Sequence, residues 1–348
     1  MPFVDIETSS GPFSFAYAIA TPTSHSAKQI APKLPCILFI HSIYIGQECF
    51  EFQFADRSLR QFNLISIDMR GHGETKGVMG GEVFTPTETA ADINLIMEKL
   101  NLPPCHIFGL SNGCTVALNL AVSYPNRVLS LTLCSPVPPQ EPEEIVTGLL
   151  EVFQYWLLRS KPAEGQADFD EEMEMEVMVG ANQFLYNYKD KSSRHVQAIL
   201  EYGLYKAQRC WAGSPEKIKN CEAVNVDWVL KRKPIPLEQL GKISVPVSII
   251  HCYEDVPYPL QYSTDWKERL LGAGVKNVSL HEVPGAHYGN VTDPEEINRI
   301  LYSTVTSCYP EPIEKETLPG SPTVSSRLMT PFTASLTQAV GYDPGDSD

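Results

Sequence analysis

Ser111 lies in Gly109-Leu110-Ser111-Asn112-Gly113, directly after the apolar run Cys105–Phe108 and before an apolar helical stretch from Cys114 to Tyr124. A serine held on a sharp strand-to-helix turn projects its hydroxyl clear of the backbone, and only small residues two before and two after let such a turn close. A hydroxyl needs a base to attack a carbonyl near neutral pH, and the base needs an acceptor to orient its second nitrogen. Of the eight histidines, His25 falls in a polar loop. His195 and His281 fall within predicted regular elements, and His106 and His251 fall in or at the end of buried strands. His287 differs, sitting in the small-residue loop Pro284-Gly285-Ala286-His287-Tyr288-Gly289 after a strand over 278–283. Asp255 follows the apolar run Val245–Ile250 on the same predicted sheet edge, with Glu254 as its competitor. The chemistry these types permit is acyl transfer through a covalent serine ester, with Ser111, Asp255 and His287 in the chain order serine, acid, histidine.

Those side chains need a scaffold that brings three loops to one edge. Residues 3–9 and 13–22 flank Gly11-Pro12 and alternate loosely, which predicts an antiparallel hairpin. Cys36–Ile40, Leu64–Ile67, Cys105–Phe108, Leu129–Leu133 and Val245–Ile250 are short, nearly continuous apolar runs, the pattern of strands buried on both faces. Helices alternate with them. Thr85-Pro86-Thr87-Glu88 carries a capping box with proline at the first helical position, and Asp293-Pro294-Glu295-Glu296 predicts a second helix start of the same kind. The expected fold class is α/β, a mostly parallel, doubly covered sheet.

From Pro136 to about Lys242 the alternation gives way to helical periodicity dense in aromatics between Phe153 and Trp211. Most of those rings are expected to pack helices together and a few to line an apolar pocket; the acidic run Asp168–Glu176 reads as a solvated face. The expected organisation is a core over 1–136, a helical lid over 137–242 inserted after the sixth strand, the rest of the core over 243–308, and a tail over 309–348. The tail is rich in Pro, Ser and Thr and is expected to be disordered and dispensable, its Leu328, Phe332 and Leu336 being interrupted by Pro331. Ser321-Pro322 and Thr330-Pro331 are read as an unmodified part of it.

Charge and cysteine usage narrow the partners. Forty-two acidic against 27 basic residues give a net charge of −15, which speaks against a nucleic-acid surface or an anionic-membrane patch. Nine scattered cysteines show neither C-x-x-C nor zinc-ligand spacing, so no metal is expected and a reducing, cytoplasmic setting is. The sequence begins with no signal-like segment and contains no uncharged run long enough to span a membrane. No glycine-rich dinucleotide fingerprint is present, so no cofactor is expected. The expected partner is an apolar small-molecule ester.

These motifs together give the chain a resemblance, over about residues 1–305, to α/β-hydrolase-fold proteins of the lidded, small-molecule type. Ile40-His41-Ser42-Ile43 is similar to the family's H-G-x loop, Asp68-Met69-Arg70-Gly71-His72-Gly73 to its D-x-R-G-H-G turn, and Asp255 to Pro259 to its D-x-x-x-P. The resemblance implies an oxyanion hole formed by the backbone N–H groups of Asn112 and Ile43, with His41 and His72 structural. Ser42 and Cys252 stand where the family usually has glycine; Ser42 either adds a hydroxyl to the hole or narrows it. The overall look is similar to fungal hydrolases of secondary metabolism. A weaker likeness, carried by His41-Ser42-Ile43, Phe50–Phe54, Arg327 and Thr333–Thr337, is to the N-myc downstream-regulated family, which would imply a non-catalytic adaptor. The presence of Ser111, Asp255 and His287 favours a serine hydrolase of esters, lactones or thioesters, with an acyltransferase on the same residues as the alternative enzyme. Serine rather than aspartate at the nucleophile position speaks against alkyl-enzyme chemistry.

Overall fold

Among the described residues eight strands form a single sheet, β1 (Phe3–Thr8), β2 (Gly11–Ala20), β3 (Cys36–Ile40), β4 (Asn63–Ile67), β5 (Cys105–Leu110), β6 (Val128–Cys134), β7 (Val247–Cys252) and β8 (Val278–Val283), in the order β1-β2-β4-β3-β5-β6-β7-β8. This computed structural model describes residues 1–80, 84–160, 180, 183–187, 194–311 and 328–343. β2 runs antiparallel to β1 and β4, and from β4 through β8 every pairing is parallel. Burial follows position. The interior strands β3, β4, β5 and β7 are buried throughout, whereas β1 at one edge alternates exposed and buried residues. The hairpin turns at Ser9-Ser10, two residues before the expected Gly11-Pro12, because Thr8 pairs with Gly11 across the strands.

The sheet's pleat divides the core in two. Leu38 and Ile40 of β3 face a cluster with Ala90, Ile93, Val116 and Leu120, while Ile37 and Phe39 face the opposite cluster. There the Phe39 ring meets those of Phe50, Phe54 and Phe108 at centroid distances of 5.1, 5.3 and 5.4 Å. α1 (Pro86–Lys99) and α2 (Asn112–Ser123) lie on the first face. α1 starts on the capping box expected of Thr85 and Glu88.

Between β6 and β7 the described residues form helices: α3 (Glu143–Ser160), α4 (Arg194–Trp211) and several short turns, among them a π-helix over Glu222–Asp227. Phe153, Trp156 and Trp211 pack with Cys221 and Val226 into a small core, so these rings join helix to helix as expected. The acidic run 168–176, together with Phe169 and Tyr188, lies outside the described residues. Beyond β7 come α5 (Leu260–Gly272) and α6 (Pro294–Thr306). α6 begins where its sequence predicts, but Asp293 does not cap it: its backbone sits at φ −144°, ψ 65°, its side chain makes no cap hydrogen bond and its N–H bonds Gly289 O at 2.8 Å.

The tail needs a correction. The sequence predicts disorder from 309 onward, yet residues 328–343 dock on the core and end in a helix, α7 (Thr333–Val340). Phe332 and Leu336 are fully buried, and the Phe332 ring meets Phe54 edge-on at 5.1 Å. Thr330 and Thr333 both donate hydroxyl hydrogen bonds to the buried Glu51 carboxylate, the second at 3.0 Å, and Arg60 Nη1 donates to Met329 O at 2.9 Å. Pro331 precedes the helix instead of interrupting it, so Phe332 and Leu336 share one face. Ser321-Pro322 lies outside the described residues, and the Thr330 hydroxyl is committed to Glu51.

Candidate active site

Ser111 is the single residue between β5 and α2, at φ 54° and ψ −117°, a left-handed conformation that costs a non-glycine residue of the order of 1 to 3 kcal/mol. Ser111 N–H donates to Cys134 O at 2.8 Å and Ser111 O accepts from Cys114 N–H at 2.9 Å, fixing the turn from both sides. The neighbouring glycines are a steric requirement. A Cβ on Gly109 would lie 2.7 Å from Gly113 O, and one on Gly113 would lie 2.3 Å from Ile40 O and 2.8 Å from His41 O. The same contact places the start of α2 against the loop after β3.

His287 follows β8 in a loop that turns on Gly285 at φ 114°. Ala286 N–H bonds Thr292 Oγ1 at 3.1 Å and Tyr288 N–H bonds Leu185 O at 2.9 Å, while the rings of Tyr258 and Tyr288 lie 4.9 and 5.3 Å from the imidazole. His287 Nε2 is 2.8 Å from Ser111 Oγ, and His287 Nδ1 is 2.8 Å from Asp255 Oδ2. Asp255 Oδ1 accepts a second bond, from Tyr258 N–H at 3.0 Å. A carboxylate only accepts, so the Asp255 contact assigns the ring proton to Nδ1 and leaves Nε2 to accept from the serine hydroxyl. All three side chains are almost wholly buried. Three residues from loops far apart in sequence thus form one hydrogen-bonded chain, and it is Asp255 that His287 meets where Glu254 competed.

Asn112 is the first residue of α2, where a helix leaves its N–H without an intrahelical partner, and Ile43 stands three residues past β3. Neither N–H is engaged by a backbone carbonyl among the described residues. The loop carrying Ile43 is held by His41, whose Nε2 accepts from Met69 N–H at 2.9 Å and whose Nδ1 lies 2.6 Å from Ser42 O. Burial lowers the His41 pKa to about 4, keeping the ring neutral, and burial with His41 nearby does the same to His72. Asn225 of the π-helix ties the two motif loops together, its Oδ1 accepting from Tyr44 N–H at 3.1 Å and lying 3.1 Å from His72 Nε2. Ser42 is buried in the loop after β3, and Cys252 fills the space against Gly289, where a Cβ would sit 2.4 Å from its sulfur.

Three residues that no motif marks join this assembly. Arg232 Nη1 donates to Asn112 Oδ1 at 2.9 Å, Arg232 Nη2 reaches Glu141 Oε1 at 2.8 Å, and Tyr258 O–H donates to Glu141 Oε2 at 3.1 Å. They come from the end of the helical insertion, the loop after β6 and the acid loop, so no spacing in the sequence links them. Among the described residues no group of three or more His, Cys, Asp or Glu side chains is placed to hold a metal ion, and no helix is long and apolar enough to cross a membrane. A 620 Å³ surface cavity lined by Thr85–Glu88, Asn119, Lys231 and Lys233 includes none of Ser111, Asp255 and His287.

Comparison with known proteins adds sequence and fold relatives. The family model described as alpha/beta hydrolase fold matches residues 35–294. The chain is 36% identical over 85 residues to a putative 2-succinyl-6-hydroxy-2,4-cyclohexadiene-1-carboxylate synthase of Bacillus subtilis, covering 24% of this chain but only 31% of that one. It is 24% identical over 257 residues to a putative carbamate hydrolase, RutD, of Cronobacter turicensis, covering 74% of this chain and 85% of that one. Among solved structures, an esterase from Thermogutta terrifontis superposes with a TM-score of 0.66 over 88% of this chain and 99% of its own, at 17% identity. At that identity the likeness is one of fold.

Proposed function

Because this chain belongs to the α/β-hydrolase fold family, we propose that it is a serine hydrolase cleaving an ester, lactone or thioester of a mostly apolar small molecule. The observation that carries the reading is the chain of contacts Ser111 Oγ, His287 Nε2, His287 Nδ1 and Asp255 Oδ2, at 2.8 Å for each bond between side chains. Ser111 attacks the substrate carbonyl as His287 Nε2 takes its proton, and Asp255 stabilises the imidazolium that forms. The N–H groups of Asn112 and Ile43 receive the developing oxyanion. His287 then returns the proton to the leaving alcohol or thiol, and water repeats the sequence on the acyl-serine. The strained backbone at Ser111 supports a functional reading over a purely architectural one, and the hydrogen-bonded set favours an enzyme over an adaptor of the N-myc downstream-regulated type.

The helical insertion between β6 and β7 acts as the lid that selects the substrate; its Arg232 and Leu185 already touch the loops of the site. The sequence-level likeness to fungal hydrolases of secondary metabolism makes a polyketide or terpenoid ester the first natural substrate to try. Nine free thiols fit a cytoplasmic setting, and no cofactor is required by this scheme. A panel of p-nitrophenyl esters of rising acyl length tests the proposal. Turnover should rise with apolar acyl size and fall by about four orders of magnitude in His287→Ala. Activity on acetate alone contradicts an apolar acyl pocket, and transfer of the acyl group to added alcohols in preference to water shifts the assignment to an acyltransferase.

A further inference from the structure

The Arg232 guanidinium is enclosed, its side chain 2% exposed and that of Glu141 3% exposed. Burying this pair carries a desolvation cost that is offset only when the remaining donors and acceptors are also used. Here they are. Beyond Asn112 and Glu141, Arg232 Nη2 donates to Pro138 O at 2.6 Å and Arg232 Nε to Pro139 O at 3.4 Å. The second Glu141 oxygen accepts from Tyr258 O–H. Tyr258 in turn donates its N–H to Asp255 and lays its ring against His287. A guanidinium has only donors, so it dictates that Asn112 presents its carbonyl oxygen to Arg232, and it restrains the residue immediately after the nucleophile. At the other end of the same chain of contacts stand the acid and the base.

We propose that Arg232, braced by Glu141 and Tyr258, is a positioning residue that locks the Ser111–Asn112 turn to the Asp255–His287 pair. The proposal rests on the serine-hydrolase reading and deepens it. Arg232 acts through Asn112 and touches no reacting atom. Its contribution is to rate and not to substrate affinity: a nucleophile, an oxyanion donor and a base must be held in register, and displacements of about 1 Å among such groups cost on the order of 100-fold. The arrangement also places the end of the helical insertion in mechanical contact with the reaction centre, so the segment proposed to choose the substrate also completes the site.

The test compares wild type with Arg232→Met, Arg232→Lys and the double variant Glu141→Met/Arg232→Met, with kcat normalised to sites titrated by a fluorophosphonate. Arg232→Met should lower kcat and the labelling rate together by about 10- to 100-fold with KM changed less than about threefold. Arg232→Lys should recover little, because an ammonium cannot span Asn112, Glu141 and the Pro138 carbonyl at once. The double variant replaces the ion pair by apolar side chains, which restores folding without restoring the lock, so it should melt near wild type and stay slow. Normal kcat per titrated site in the double variant overturns the proposal and leaves the pair a purely structural tie. Ser111→Ala, assayed alongside, separates the two claims: if it still turns over substrate the hydrolase reading fails, whereas an inert Ser111→Ala beside a fully active double variant removes the positioning role alone.

Discussion

Deleting the docked tail should destabilise the whole protein, and the size of the loss can be worked from what the segment buries. Phe332 is fully enclosed against Phe54, and truncating a buried phenylalanine to alanine costs about 3 to 5 kcal/mol while the surroundings stay in place. A segment docked outside the sheet's own helices has a second option, which is to detach. The loss from Phe332→Ala therefore cannot exceed the free energy with which residues 328–343 dock, and a stop codon after Glu311 measures that docking free energy directly. Glu51 adds to the penalty: detachment strips its buried carboxylate of the Thr330 and Thr333 hydroxyls, and hydrogen bonds to charged groups contribute about 1.5 to 3 kcal/mol each. At about 1.5 to 2 °C per kcal/mol for roughly 300 folded residues, a docking free energy of a few kcal/mol appears as a fall in melting temperature of about 5 °C. Differential scanning fluorimetry on wild type, Phe332→Ala and the truncation reads it out. The truncation should lose at least as much as the point variant. Melting temperatures within about 2 °C of wild type for both would refute the docked arrangement.

Three further outcomes follow from buried groups and close contacts. His41 and His72 are held at about 4 against an ordinary 6.5, so the unfolded chain binds their protons first; stability is full above pH 6.5 and is lost as pH falls toward 4, at up to about 1.4 kcal/mol per pH unit for each ring. A melting temperature that stays level from pH 7 to pH 5 contradicts this. Glu48 behaves oppositely: burial, with Asp68 nearby, raises its carboxyl from 4.5 to about 7, so its contribution is full below pH 4.5 and is lost as pH rises through 7. Glu48→Gln should gain stability relative to wild type between pH 5 and pH 8, by a few kcal/mol at most, and a difference that is independent of pH counts against the buried carboxyl. Gly113→Ala places a methyl 2.3 Å from Ile40 O and should cost more than about 3 kcal/mol or prevent folding, measured as loss of the cooperative melt; a wild-type melt disagrees with the turn geometry.

What the sequence reveals and what it hides follow from the range of the interactions involved. β3 can be placed to the residue because a continuous apolar run between turn signals is a local property. Ser111 stands out because its turn tolerates only glycine at positions 109 and 113, a steric demand written into consecutive residues. His287 and Asp255 can be singled out by the loops they occupy at the strands' carboxyl ends. Arg232, Glu141 and Tyr258 cannot, since their pairing joins segments more than 20 residues apart and leaves no periodicity. Composition misleads in the tail, where averaging over 309–348 hides two apolar residues four apart that, with the Thr330 and Thr333 bonds to Glu51, anchor a short helix. Asp293 misleads for a local reason: the right residue types stand before α6, but the turn over Gly289–Thr292 takes up the Asp293 N–H and sets a backbone from which the side chain does not cap.

The most direct test of the hydrolase account is covalent labelling with a fluorophosphonate, followed by mass spectrometry of the peptide that carries residue 111. The hydrogen-bonded order of Ser111, His287 and Asp255 predicts a single phosphonylated serine at 111 in wild type, slow labelling in His287→Ala, and none in Ser111→Ala. Equal labelling of Ser111→Ala and wild type, or a wild-type protein that resists the probe while fully folded, would contradict the claim that Ser111 is an activated nucleophile.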